Sequence, residues 1–106
     1  EIGDEECMKM DVRVAIMLKA EKHPNADKLL VLKVDTGIDE RTIVSGIAEQ
    51  YQPEEIIGKK VSVLLNLAPR KIRGISSQGM ILMAENEGKL TFVTPENEIE
   101  SGAEIR

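Results

Sequence analysis

Aromatic side chains are almost missing from this 106-residue chain, which holds one tyrosine, one phenylalanine and no tryptophan. Proteins that hold single-stranded nucleic acid without sequence preference stack its bases on such rings, so a stacking platform is excluded. One cysteine, Cys7, rules out an internal disulfide and suits a reducing compartment, for which the cytoplasm is the expectation. One histidine, His23, with no cysteine cluster beside it, leaves no ligand set for a transition metal. No apolar run approaches the ~18 residues of a membrane helix and no signal-peptide pattern opens the chain, so no membrane partner is expected. Glycine-rich phosphate loops and the HExxH, GxSxG and CxxC patterns are absent too, so neither catalysis nor a cofactor is expected of this segment.

What is present is aliphatic. Residues of the apolar types make up 42% of the chain, enough to bury a core in one domain without metal or disulfide staples. Residues 1–10 read as a linker or lead-in turn, since four acids crowd the first six positions without periodicity. A first residue that is Glu1 rather than methionine predicts a piece cut from a longer protein or a processed chain. From Asp11 to Ala20 the pattern alternates, with Val12, Val14, Ile16, Leu18 and Ala20 on one face. HPNAD supplies turn residues, and a second alternating run carries Leu30, Leu32 and Val34. Thr36-Gly37 and Asp39-Glu40 make a hairpin connection to a third strand over Arg41–Ile47.

The period then changes. Pro53 suits a first helical turn, Glu54 and Glu55 its positive end, and Gly58 its stop, which predicts one short helix. Val61, Val63, Leu65 and Leu67 alternate as a fourth strand, Pro69–Ser77 reads as a loop, and Met80–Ala84 reads as a fifth strand. A sixth short strand is expected over Leu90–Val93. Three strands, a helix and two more strands is the order of a five-stranded OB-fold barrel, an all-β class with one short helix. That assigns 11–88 to the barrel and 89–106 to a C-terminal extension.

Charge is distributed unevenly. From Ile56 to Ala84 there is no acid, while Lys59, Lys60, Arg70, Lys71 and Arg73 give that stretch a net charge of +5. The chain as a whole carries −5, so the remainder carries −10. Three of the five bases fall in PRKIRG, where a barrel mouth would lie, and such a cluster is an electrostatic footprint for phosphates. Asn66, Ser77 and Gln78 flank that loop, and Asn25 and Lys28 occupy the HPNADK turn, all of them types that bond phosphate, ribose or base edges. A plainer reading has a solvated basic loop, Asn25 and Asp27 bonding their own turn, Asn66 ending a strand, and Met80 in the core. His23, before Pro24, reads as a turn or packing residue. With few aromatics and no basic recognition helix, folded RNA fits better than single strands or duplex DNA.

The runs AEKHPNADKLLVLKVDTG, RTIVSGI and NLAPRKIRGISSQGMIL strongly resemble the tRNA-binding domain family. Its members include the C-terminal domain of methionyl-tRNA synthetases, which the chain resembles most, free-standing dimeric tRNA-binding proteins, and cytokine-related synthetase cofactors. The resemblance covers about residues 8–106. It implies an OB-fold that binds tRNA by shape, pairs as a homodimer through the barrel's edge and extra C-terminal strands (here the lead-in and the segment from Leu90 to Arg106), and serves the catalytic portion of an aminoacyl-tRNA synthetase. It places tRNA contacts at Asn25, Lys28, Asn66, Lys71, Arg73, Ser77 and Met80, with Arg70 and Gln78 adjoining. Two departures stand out: Ala15 replaces a usual glycine, and Ser76 replaces a common acid. A dimerisation module with negligible tRNA affinity and a free-standing tRNA-binding chaperone are the alternatives.

Overall fold

The strand alternation predicted for Leu30, Leu32 and Val34 is observed directly. In the computed structural model, which describes residues 1–106, β2 (Leu30–Asp35) buries these three side chains and turns Val31, Lys33 and Asp35 outward. It pairs antiparallel with β1 (Val12–Lys22) on one side and β3 (Glu40–Ser45) on the other. After the short helix α2 (Pro53–Ile56), β4 (Lys60–Leu64) returns antiparallel to the first half of β1. A hairpin follows, formed by β5 (Arg70–Ile72) and β6 (Ile75–Ser77), and β7 (Met80–Ile81) then pairs with β4. The sheet order is β3-β2-β1-β4-β7. Its two edges are joined where Gln78 N–H donates to Thr42 O at 2.8 Å and Val44 N–H donates to Ser77 Oγ at 2.9 Å. A five-stranded, nearly closed barrel of OB type results.

Twelve side chains form the barrel's core cluster, among them Ala15, Met17, Leu32, Ile43, Ile56, Val63 and Ile81. Burying each of the larger aliphatic ones contributes about 1.5–3 kcal/mol. The phase predicted for β1 is corrected. Ala15 and Met17 face the core, and the register with β2 shifts between Met17 and Lys19, after which Ala20 packs on the same cluster. Val14 of the predicted phase is buried as well, Ala15 and Met17 interrupt the charged phase of Arg13 and Lys19, and the bulge inverts the count beyond Met17, so alternation alone does not fix the core face.

Three local expectations are also revised. The lead-in is not featureless, because Asp4–Met8 forms a one-turn helix, α1, capped by the Glu6 carboxylate on Gly3 N–H. Pro69–Ser77 is a hairpin rather than a loop; its turn has positive φ at both Arg73 (51°) and Gly74 (89°), the twist that two-residue hairpin turns require. The fifth strand is divided at Leu82 into β7 and β8 (Met83–Asn86), and β8 pairs with β9 (Lys89–Phe92). The turn of this last hairpin carries the 88/89 boundary drawn from the sequence. Both aromatics are consumed by packing: Tyr51 and Phe92 lie 4.9 Å apart, and Tyr51 Oη donates to Leu90 O.

Beyond β9 the chain makes no further strand. It runs along the first half of β1 through a single bridge, Arg13 with Glu104, and backbone bonds from Val14 to Ala103 and from Ile105 to Val12. Gly37, at φ 88° in the β2–β3 turn, permits this docking. A Cβ there would lie 2.5 Å from Gly102 Cα and 2.6 Å from Ser101 O.

Candidate nucleic-acid interface

The loop after β1, residues 23–29, and the β5–β6 hairpin are distant in sequence and clasped in space. Arg73 Nη2 donates to Asn25 O at 3.0 Å. The His23 ring bridges the same gap, its Nδ1 accepting from Asn25 N–H at 3.0 Å and its Nε2 3.3 Å from Ile72 O. Leu29 N–H closes the loop onto Ala26 O, and Ala48 N–H ties Lys28 O to the segment before α2. Arg73 reaches across because its positive φ places it at the hairpin tip.

Together the two segments present Asn25, Lys28, Arg70, Lys71 and Arg73, all exposed. None of the four cations is held in an ion pair, and Asp27 is the one acid among them. Arg13 pairs with Asp11, Lys33 with Glu40, Arg41 with Asp39 and Lys60 with Glu98, while Lys9, Lys19, Lys22, Lys59 and Lys89 are unpaired but not gathered on this loop and hairpin. Unpaired cations raised on a hairpin retain their full field toward a polyanion, whereas paired ones do not. The Asn25 side-chain amide also bonds nothing within the protein and is free to donate or accept. Met80, 48% exposed, sits at the edge of the sheet instead of the core.

The remaining three expected residues are occupied by the fold. Ser77 is buried and its hydroxyl closes the barrel seam; Gln78 Oε1 accepts from Thr42 N–H beside it. Asn66 lies at the other end of β1 from the clasp, its amide bonding Asp11 N–H and Lys9 O and holding down the lead-in. Pattern reading missed Arg41, whose Nη1 donates to Leu65 O at 2.7 Å and ties β3 to the end of β4. Its partner Asp39 has a carboxyl held below its usual range, chiefly by the Thr36 hydroxyl at 2.6 Å, which together with Arg41 outweighs the opposing desolvation. No local signal in the sequence marks that triad.

Residues 12–104 match the family model described as "Putative tRNA binding domain". The chain belongs to the tRNA-binding domain family. Among its relatives is a methionine–tRNA ligase of Flavobacterium johnsoniae, 66% identical over 102 residues, which cover 95% of this chain and 14% of the ligase. A methionine–tRNA ligase of Bacteroides fragilis is 54% identical over 100 residues, covering 93% of this chain and 15% of that one. This tRNA-binding domain thus spans about a seventh of the length of the ligases it matches. A MetRS-related protein from Pyrococcus horikoshii superimposes with a TM-score of 0.92 at 44% identity, covering 100% of this chain and 99% of its own. The CsaA chaperone protein from Picrophilus torridus superimposes at 0.91 with 26% identity, the two chains covering each other completely. No helix of the domain is long and apolar enough to cross a membrane.

Proposed function

We propose that this chain is the non-catalytic tRNA-binding and dimerisation domain of a methionyl-tRNA synthetase, acting in the cytoplasm. It grips folded tRNA by backbone and shape. The observation that carries the reading is the clasp: Arg73 on Asn25 joins two segments into one face with four unpaired cations. Asn25, Lys28, Arg70, Lys71, Arg73 and Met80 form the contacting set, while Ser77 and Gln78 hold the seam beside it and Asn66 holds the lead-in at the opposite end of β1. Phosphate contacts of this kind give affinity without reading a base sequence. Supplied on the same chain as a catalytic portion, such a face raises the effective concentration of tRNA there. Catalysis belongs to that portion, in keeping with the small share of the ligases that this segment covers.

Dimerisation is supported by the lead-in and tail. They border a groove of about 750 Å³ whose lining includes Met8, Met10, Val12 and Ile105. Met8 is 83% exposed and Met10 48%, an apolar area at which a second copy of the chain would exclude water. Two copies present two cationic faces.

The experiment is filter binding of bulk tRNA to the chain and to its Lys71→Ala/Arg73→Ala variant at about 0.1 M salt, with sedimentation to give the oligomeric state. Weakened binding by a folded variant is the expected result, and equal affinity refutes the assignment of the face. Met10→Glu/Ile105→Glu is expected to sediment as a monomer; a dimer removes the groove from the interface. A free-standing tRNA-binding protein is the second reading, favoured by the near-complete mutual coverage with the Pyrococcus chain. The length of the intact reading frame separates the two.

A further inference from the structure

His23 is the one histidine of the chain and it is buried, 4% exposed, although it sits in a loop among exposed residues. Its two ring nitrogens do different work. A backbone N–H can only donate, so the bond from Asn25 N–H requires a bare Nδ1 carrying its lone pair. The proton of the neutral ring then resides on Nε2, which faces the Ile72 carbonyl, an acceptor. One tautomer therefore satisfies both contacts, and it links the loop after β1 to the hairpin that carries Lys71 and Arg73.

We propose that neutral His23 is a positioning residue for the cationic face: its Nε2–H tautomer holds the 23–29 loop and the β5–β6 hairpin in the arrangement that receives phosphate. This rests on the reading of that face given above. A second proton on the ring takes away the acceptor of Asn25 N–H and sets two donors against each other. The charged groups on the elements around the ring are Glu21 and Lys22 from β1, Asp27 and Lys28 from the loop, and Arg70, Lys71 and Arg73 from the hairpin. None of these carboxylates bonds to the ring, so an imidazolium would stand in a mostly cationic surrounding without a partner. Nε2–H still donates to Ile72 O after protonation, but the bond that sets Asn25 is lost, and with it the placement of the Asn25 carbonyl that Arg73 holds, so the loop end of the clasp is released and tRNA affinity falls with it. Added positive charge on a rigid phosphate-binding surface acts in the opposite direction, which separates a clasp from a simple cation.

Nitrogen NMR of the imidazole at about pH 7.5 is expected to show Nε2 protonated and Nδ1 bare. A proton on Nδ1 overturns the proposal. Bulk tRNA binding is then compared between about pH 7.5 and about pH 5.5 at fixed salt, a range over which histidine is the side chain that ordinarily changes charge. Loss of one net hydrogen bond predicts binding about tenfold weaker at the lower pH; unchanged or tighter binding overturns the clasp. His23→Gln and His23→Phe are expected to bind more weakly at the higher pH and to lose the pH dependence, and a dependence that persists in a folded variant overturns it too. Arg70→Ala/Lys71→Ala keeps both the ring and the Arg73 bond to Asn25 and is the control for the face itself. Should that variant bind like the native chain, the cationic-face reading fails, and amide exchange over residues 72–77 decides the clasp without RNA. Faster exchange in His23→Gln supports it, and unchanged exchange refutes it.

Discussion

Replacing Ser77 by alanine separates the frame from the face. The Ser77 hydroxyl accepts from Val44 N–H at 2.9 Å inside the seam that closes the barrel, and the side chain is 5% exposed. Alanine leaves that buried amide without its partner. A buried donor so stranded costs about 1–3 kcal/mol. For a domain of this size, unfolding entropy converts each kcal/mol into roughly 4–5 °C, so the melting temperature is expected to fall by roughly 5–13 °C. Urea denaturation followed by circular dichroism is the assay, with a lower midpoint and an unchanged slope. Ser77→Thr keeps the acceptor and is expected to recover most of the loss. After the comparison is made well below both melting temperatures, tRNA affinity is expected to change little. The reasoning is refuted if Ser77→Ala melts with the native chain while its tRNA affinity drops severalfold, since the hydroxyl would then serve RNA and not the seam.

Two further perturbations probe the opposite end of the barrel. Gly37→Ala forces a side chain into positive φ, worth about 1–3 kcal/mol, and drives its methyl into Gly102; reduced stability with faster amide exchange over residues 101–105 is expected, and native stability would contradict the docking of the tail. Asp39 is depressed below the usual carboxylate range in the folded state, so its contribution is present above the unfolded pKa and is lost as pH falls through the folded one. Acid unfolding below about pH 4 should accordingly be less steep in Asp39→Asn, which begins less stable at neutral pH; superimposable stability profiles from about pH 2 to 7 would dismiss the Thr36–Asp39–Arg41 triad as a source of stability.

Local chemistry made much of this molecule legible before its coordinates. Leu30, Leu32 and Val34 alternate against Lys33 and Asp35, so the charged phase of β2 is the one turned outward. Pro53 with Glu54 and Glu55 marks α2 through interactions within a single turn. The +5 stretch likewise reveals itself by simple counting, and it contains the hairpin that raises Arg70, Lys71 and Arg73 into solvent. Long-range partners were not legible. Ser77 and Asn66 have the same chemistry whether they meet RNA or the amides of Val44 and Asp11, and only the fold decides which groups arrive first. β1 sets Ala15 and Met17 between Arg13 and Lys19 and carries a bulge, a combination that periodicity does not resolve. His23 reads as a turn or packing residue, and nothing in its neighbourhood announces Ile72, 49 positions away.

The central claim is that folded tRNA is held by phosphate contacts on the clasped loop and hairpin. The salt dependence of tRNA binding tests it most directly. Three to five such contacts predict that log K falls with log salt at a slope of roughly −2 to −4. Lys71→Ala/Arg73→Ala removes two of them, so its slope should be shallower by about 1.4–1.8, with affinity reduced about 25- to 60-fold at about 0.1 M salt. A variant that retains both the slope and the affinity of the native chain would contradict the account.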